Sequence, residues 1–204
     1  METITTKQRI INESLKLFSK AGYDGVSMRD IASAVGIKGA SIYNHFKGKE
    51  DIFQAIFDEM TLRYQDFAKH MAIPNNNSQA SIDVYANASL AVLQQMAKTL
   101  FEYFACDEFT VMFRHMIISE QHKSSLAKKY LQDYYLNAPI EFQTNIFKGL
   151  QAQGCFKDYD PKIMALHFYS PIYLVLCNYD LNKNFDTSLN LLQNHVKCFC
   201  ELYK

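Results

Sequence analysis

The chain has 204 residues, 49% of them hydrophobic, which is enough to bury a core in one domain or in two small ones. Glycine and proline number only 7 and 4, against 15 phenylalanines and 13 tyrosines, so the composition excludes a disordered chain and favours packed helices. The formal net charge is zero, but residues 1 to 50 carry eight Lys/Arg against five Asp/Glu, so this mildly basic N-terminal part is compatible with a polyanionic partner.

Two helices are predicted before residue 36. Thr5 with Gln8, and Ser27 with Asp30, have the three-residue spacing of a capping box, in which two side chains satisfy free amides at a helix start. Apolar residues recur at helical spacing after each box. The first helix is predicted to end at Gly22 and the second, about two turns long, at Gly36.

A third short helix is predicted from near Lys38 to near Phe46, and Gly48 separates it from a longer fourth helix over residues 49 to 70. The polar run NNNS after Pro74 is the clearest boundary in the chain. Beyond it we predict long helices, which bring the total to about nine. They cover residues 81 to 104, 108 to 119, 124 to 153 with Pro139 starting, kinking or dividing the stretch, 160 to 179 with a kink at Pro171, and 186 to 203.

A short helix, a turn containing glycine and a second short helix form the pattern of a helix-turn-helix, whose second helix lies in the major groove of DNA. Asn44 can read an adenine edge through two hydrogen bonds, and the Tyr43 hydroxyl can donate to a phosphate. The predicted DNA-binding residues are Lys38, Gly39, Ala40, Ser41, Tyr43, Asn44 and His45 on the outer face, with Ser27, Lys47 and Lys49 beside it as phosphate donors.

Residues 7 to 57 resemble the N-terminal domain of the TetR family of transcriptional repressors. Loop lengths, turn glycine, aromatic pair and following lysine all fall in register. The resemblance is carried by Phe18, Gly22, Tyr23, Ser27, Met28, Ile31, Ala32, residues 35 to 37, Ser41, Ile42, Tyr43, His45, Phe46, Lys49 and Glu50. The chain departs from the family at Lys38, where Ser or Thr is frequent, and at Gly39, where a basic residue or proline is frequent, so base preference cannot be transferred from relatives.

The resemblance implies an all-α homodimer with a helix-turn-helix domain over residues 1–48 and a helical ligand-binding and dimerisation domain over 49–204, connected by helix 49–70. It implies a repressor that binds a palindromic DNA operator and is released by a small, largely apolar effector. An activator, or a protein that acts through a protein partner, are the alternatives. Dimer contacts are expected from the last two helices, at Ile163, Leu166, Leu174, Val175, Leu189, Leu192, Val196 and Phe199.

An aromatic and methionine-rich set beyond Pro74 is either ordinary core or the lining of an effector pocket. The residues predicted for such a pocket are Phe101, Phe104, Met112, Phe113, His115, Met116, Tyr134, Tyr135, His167 and Tyr169.

Other functions have little support in the sequence. No nucleophile, base and orienting group form a motif, and no Gly-rich phosphate loop is present, so we predict no enzyme. His115 and His122 lack further ligands at recognisable spacing, so we expect no metal and no cofactor. The five cysteines are predicted to be buried, reduced thiols. With neither a leader nor an apolar run of about 18 residues, a cytoplasmic protein without a membrane partner is expected.

Overall fold

The computed structural model describes residues 4–70 and 79–204, and all regular structure in these two ranges is helical. Eleven α-helices and one π-helical segment are present there, which confirms the all-α prediction. The α-helices are α1 (Thr6–Ala21), α2 (Met28–Val35), α3 (Gly39–Ile42), α4 (Lys49–His70), α5 (Gln79–Asn87), α6 (Leu90–Cys106), α7 (Glu108–Glu120), α8 (Ser125–Leu131), α9 (Asn137–Ala152), α10 (Pro161–Asn182) and α11 (Phe185–Tyr203), and the π-helical segment is Gln132–Leu136. The predicted boundary at Pro74 and the NNNS run lies outside the described residues.

The helices form two compact units. Unit 1 comprises Met1–Phe67 and Glu108–Leu131, and unit 2 comprises Ala68–Asp107 and Gln132–Lys204. Unit 1 therefore extends beyond the first fifty residues. It also includes most of α4, together with α7 and α8. The functional division predicted after residue 48 stays a prediction.

The N-terminal helices begin where the capping residues predict. The Thr5 hydroxyl accepts the Gln8 amide hydrogen at 3.2 Å, but the Gln8 side chain bonds Asn12, so only half of the predicted box forms. The box at α2 is complete, because the Ser27 hydroxyl accepts from the Asp30 amide and the Asp30 carboxylate accepts from the Ser27 amide.

Unit 1 has a continuous apolar core. Ile31 and Val35 of α2 and Ile42 of α3 are part of this core, each at most 1% exposed. The Phe57 ring lies 5.2 Å from the Phe113 ring and 4.5 Å from the Tyr130 ring. Residues of α7 and α8 therefore share a core with α4.

Unit 2 is organised around a second core. The buried members of its main cluster come from α9, α10 and α11, and they are Ile146, Phe147, Leu150, Met164, Ala165, Phe199 and Tyr203. The Phe147 and Phe199 rings stack with their centroids 5.2 Å apart.

Three of the helices predicted beyond Pro74 were wrong in extent. The helix predicted over 81 to 104 is two helices, because Ser89 caps α6 by accepting the Val92 amide hydrogen. The stretch from 124 to 153 is divided into α8, the π-helical segment and α9. Pro139 lies in the first turn of α9, where its missing N–H costs no helical hydrogen bond. Helix α10 continues past 179 to Asn182.

Within the two described ranges, no helix is long and apolar enough to cross a bilayer.

Candidate nucleic-acid interface

Eight of the ten predicted DNA-binding residues are exposed in unit 1. Tyr43 is 57% exposed, whereas Ile42 and Phe46 on either side of it are buried. Ser41 and Lys49 are half-buried. The exposed members of the predicted set are Ser27, Lys38, Gly39, Ala40, Tyr43, Asn44, His45 and Lys47.

Buried anchors and a left-handed glycine fix this surface. Gly36 ends α2 with φ of 76°, and the Ile37 amide then donates to the Ala32 carbonyl at 3.0 Å. A left-handed conformation is readily available to glycine and strained for most other residues. Ile42 and Phe46 hold the next segment from inside, so the residues between them face outward.

Helix α3 is shorter than the prediction. It ends at Ile42, and the chain continues in turns in which the Asn44 amide donates to Ser41 and the His45 amide to Ile42. Each of these amides donates to the carbonyl three residues earlier, so the backbone is wound more tightly here than in an α-helix. Tyr43, Asn44 and His45 therefore project from a turn at the end of α3.

Two of the predicted phosphate donors already have partners inside the chain. The Lys49 ammonium donates to the carbonyls of Tyr23 at 2.7 Å and Val26 at 2.9 Å, and it lies 4.1 Å from the centroid of the Tyr23 ring. The Ser27 hydroxyl donates to Asp30 at 2.6 Å. Lys38 and Lys47 are the predicted cations that lie exposed.

The same capping box affects the ionisation of Asp30 in the first turn of α2. Hydrogen bonds from the Ser27 hydroxyl and amide lower the pKa of the Asp30 carboxyl below its ordinary value of 3.8. Asp30 is thus held as an acceptor for its own cap.

Two structural contacts of basic residues were missed from the sequence. One is the Lys49 contact with the loop before α2, and the other is the Arg9 guanidinium, which donates to the Val35 carbonyl at the end of α2. The helical position of Arg9 gave no signal, because its acceptor lies 26 residues away in the chain.

Comparison with known proteins places these features in a family. The profile described as "Bacterial regulatory proteins, tetR family" matches residues 10–56. The biofilm operon icaADBC HTH-type negative transcriptional regulator IcaR of Staphylococcus aureus is 30% identical over 202 residues, covering 95% of this chain and 92% of its own. The chain belongs to the tetR family of bacterial regulatory proteins. As a member of this family it is a DNA-binding transcriptional regulator and not an enzyme.

Solved structures share the TetR-family fold. A putative TetR-family regulator from Mesorhizobium loti is 20% identical, with a TM-score of 0.67 over 97% of this chain and 96% of that one. The complex of SmeT, a repressor from Stenotrophomonas maltophilia, with triclosan is 14% identical, with a TM-score of 0.66 over 97% of this chain and 91% of that one. At these identities the likeness establishes the fold.

The residues predicted to bind an effector fall in both units of this TetR-family chain. Met112, Phe113, His115 and Met116 lie on α7 in unit 1. The other six predicted residues belong to unit 2, and they are Phe101, Phe104, Tyr134, Tyr135, His167 and Tyr169.

Three of the six are linked directly in unit 2. The Phe104 ring lies 5.5 Å from the Tyr135 ring, and the Tyr169 hydroxyl donates to the Tyr135 carbonyl at 2.9 Å. Phe101 instead contacts Tyr179 at 5.6 Å. Exposed His167 bonds the Tyr203 hydroxyl through Nδ1 at 2.6 Å.

The predicted dimer residues of the TetR-family chain divide by burial. Ile163, Leu166 and Leu174 on α10 are exposed, by 49%, 36% and 68%. Val175 and Leu189 are half-buried. Leu192, Val196 and Phe199 are at most 5% exposed and form part of the chain's own core, so their side chains are not available to a partner copy.

The prediction of buried cysteines was wrong. Cys106 and Cys198 are exposed, and Cys155, Cys177 and Cys200 are half-buried. Cys155 packs against the main core of unit 2 without being buried in it, and the scattered positions of the five cysteines in the sequence do not indicate these exposures. Across the described part of the chain, no three His, Cys, Asp or Glu side chains are grouped to hold a metal ion.

Proposed function

We propose that the chain is a repressor that binds a two-fold-symmetric operator as a homodimer and releases it when a small, largely apolar effector binds. The observation that carries the DNA-binding part is the exposure of residues 38 to 40 and 43 to 45, which Gly36, Ile42 and Phe46 hold in place. The negative regulator IcaR, 30% identical along nearly the whole chain, supports repression.

Three side chains of this segment are proposed to contact DNA bases. Asn44 has the donor and acceptor that can pair with an adenine edge, and His45 and Ser41 can bond a base or a bridging water. Lys38 and Lys47 are the exposed cations for neighbouring phosphates, whereas Lys49 has one hydrogen not used by the two carbonyls.

The proposed dimer face lies on the outer side of α10, with part of α11. Ile163, Leu166 and Leu174 expose apolar side chains along α10, and Leu191 and Leu202 do so on α11. An exposed apolar face of this length is typical of a protein interface. Two copies would form a four-helix bundle, and a two-fold dimer would place its recognition segments about 34 to 36 Å apart.

Effector binding is proposed for unit 2, at the contacts among Phe104, Tyr135 and Tyr169. Aromatic rings with a few hydroxyls suit a small, largely apolar molecule. SmeT, which shares the fold, has been solved with triclosan. Helix α4 runs from unit 1 into the first residues of unit 2 and is the proposed connection. Release requires the effector to favour one state of the protein, typically by about 1 to 3 kcal/mol.

Fluorescence anisotropy tests the proposal with the DNA that flanks the chain's own gene, in a salt series, against random DNA of equal length. A specific regulator is expected to prefer the flanking DNA over random DNA by about a thousandfold or more. We place this regulator in the cytoplasm. Equal, weak binding to both DNAs at every salt concentration contradicts recognition of the flanking DNA. Binding that activates a reporter would contradict repression while leaving recognition intact.

A further inference from the structure

Tyr23, between α1 and α2, is held by three helices of unit 1. Its amide donates to Glu120 Oε1 on α7 at 3.0 Å, although 97 residues separate the two in the chain. Its carbonyl accepts from Lys49 on α4 at 2.7 Å. Its ring lies 4.8 Å from the Phe53 ring and 5.4 Å from the Phe18 ring. The position of this turn is therefore set by α4 and α7 as well as by α1.

The geometry of Gly22 explains why the Tyr23 amide needs a distant acceptor. The Gly22 amide closes α1 by donating to Phe18 at 2.9 Å. Its φ of 72° and ψ of 164° then lead the chain away from the helix, so the next amide does not return to a carbonyl of α1. Glu120 supplies that acceptor, and a Cβ on Gly22 would lie only 3.1 Å from Glu120 Oε1.

Glu120 occupies a place that is unfavourable for a carboxylate without a specific partner. It is the last residue of α7, where the helix dipole disfavours negative charge, and only 3% of it is exposed. Its hydrogen bond from Tyr23 is charge-assisted and offsets part of that cost. By contrast, the neighbouring pair Lys123 and Asp24 is 3.5 Å apart and largely exposed, where an ion pair contributes little.

The turn that Glu120 holds leads directly into the DNA-binding segment. Lys49 binds the carbonyls of both Tyr23 and Val26, and the next residue, Ser27, is the N-cap of α2. A shift of Tyr23 therefore changes where α2 starts. Because α3 is attached to α2 through Gly36, the shift also moves the exposed surface of residues 38 to 45.

We propose that Glu120 is a positioning residue for DNA recognition, whose carboxylate fixes the turn between α1 and α2 and so couples the position of α7 to that of the helix-turn-helix. This rests on the proposed DNA recognition. The chain enters α7 directly from Asp107, the last residue before it in unit 2, so the helix that holds the turn through Glu120 is covalently continuous with the proposed effector unit.

The test compares Glu120→Ala and Glu120→Gln with the control Lys123→Ala, which removes an exposed charge three residues away. Two quantities are measured for each protein. One is the hydrogen exchange rate of the Tyr23 amide. The other is the ratio of affinities for a DNA sequence selected by the wild-type protein from a random library and for random DNA of equal length, at one salt concentration.

Glu120→Ala is expected to accelerate Tyr23 exchange and to lower the affinity ratio by about tenfold, within the usual range of coupling between sites. Glu120→Gln keeps a carbonyl acceptor without the charge, so both changes should be smaller. Lys123→Ala should match the wild type in both. If Glu120→Ala does not fold, Glu120→Gln against Lys123→Ala is the deciding comparison.

Unchanged Tyr23 exchange in a folded Glu120 variant would overturn the proposal, and so would faster exchange with an unchanged affinity ratio. A wild-type protein that selects no DNA sequence would instead contradict the proposed function. Tyr23 exchange in the variants would then decide separately whether Glu120 holds the turn.

Discussion

Lys49 shows how one residue of the interface is shared between fold and function. Its position after the helix-turn-helix indicates a phosphate contact, yet its ammonium donates to two backbone carbonyls and lies on the Tyr23 ring. A hydrogen bond from a charged donor contributes roughly 1.5 to 3 kcal/mol to the stability of the fold, so the loop before α2 depends on this side chain. Exposed Lys47 has no such structural contact among those described.

Substitution of these two lysines should separate the two roles. Lys49→Ala should lower the free energy of unfolding by about 1 to 3 kcal/mol, because both carbonyls lose their donor. Lys47→Ala should leave thermal stability unchanged and reduce the slope of log affinity against log salt by about one unit, the loss of one phosphate contact. Denaturant unfolding and salt-dependent anisotropy measure the two effects. A Lys49→Ala protein as stable as the wild type would show that the loop does not need this contact.

Any side chain at position 22 is predicted to destabilise the fold. Gly22→Ala should cost about 1 to 3 kcal/mol of unfolding free energy, because φ of 72° with ψ of 164° is essentially restricted to glycine. The matched control is Gly39→Ala, where a Cβ meets no atom within 4 Å, and its stability should be unchanged. Equal stability of the two variants in urea would contradict this description of the turn.

At the level of elements, the capping box is the best-determined feature of the helix-turn-helix. Ser27→Ala should destabilise unit 1 by about 1 kcal/mol, whereas Ser33→Ala, on the exposed side of the same helix, should change little. The pKa of Asp30 is lowered in the folded chain, so its contribution is present above the ordinary value of 3.8 and is lost as pH falls through the folded pKa. The difference between Ser27→Ala and wild type should therefore shrink in acid. A difference independent of pH, measured by urea unfolding, would rule out the reciprocal bond.

Local signals explain which helices could be predicted. The N-caps Thr5 and Ser27 and the glycines Gly22 and Gly36 act through neighbours within a few residues, so the sequence predicts the ends of α1 and α2. Ser89 is an equally good cap, but the apolar residues continue on both sides of it and the break between α5 and α6 was missed.

Contacts between distant residues were beyond prediction from the sequence. The Lys49 and Glu120 contacts with Tyr23 span 26 and 97 residues and leave no periodic trace. The outward position of residues 38 to 40 and 43 to 45 was predictable, because it follows from the spacing of half-buried Ile37 and of buried Ile42 and Phe46. The end of α3 at Ile42 was not, since nothing in Tyr43 or Asn44 prevents another helical turn.

For the whole molecule, the exposed face of α10 makes dimerisation testable. Leu174→Asp places a charge where 68% of an apolar side chain is exposed, and it should shift the chain toward monomer. Leu62→Asp is the control, since Leu62 is 63% exposed on α4 in unit 1. Sedimentation velocity measures the association state. If dimers persist in Leu174→Asp and dissociate in Leu62→Asp, the interface lies on α4 and the proposed interface on α10 is wrong.

DNA recognition by the exposed residues among 38 to 45 is tested most directly by selecting bound sequences from a random DNA library. Wild-type protein, Asn44→Ala and Lys47→Ala are used in parallel. We predict that the wild type enriches a palindrome with half-sites about one helical turn, or a multiple of it, apart. Asn44→Ala should lose preference at one symmetric pair of positions, worth about 1 to 3 kcal/mol per base pair, while Lys47→Ala keeps the same consensus at lower affinity. An identical consensus for wild type and Asn44→Ala would show that Asn44 reads no base, and no enrichment by the wild type would contradict sequence-specific recognition by this surface.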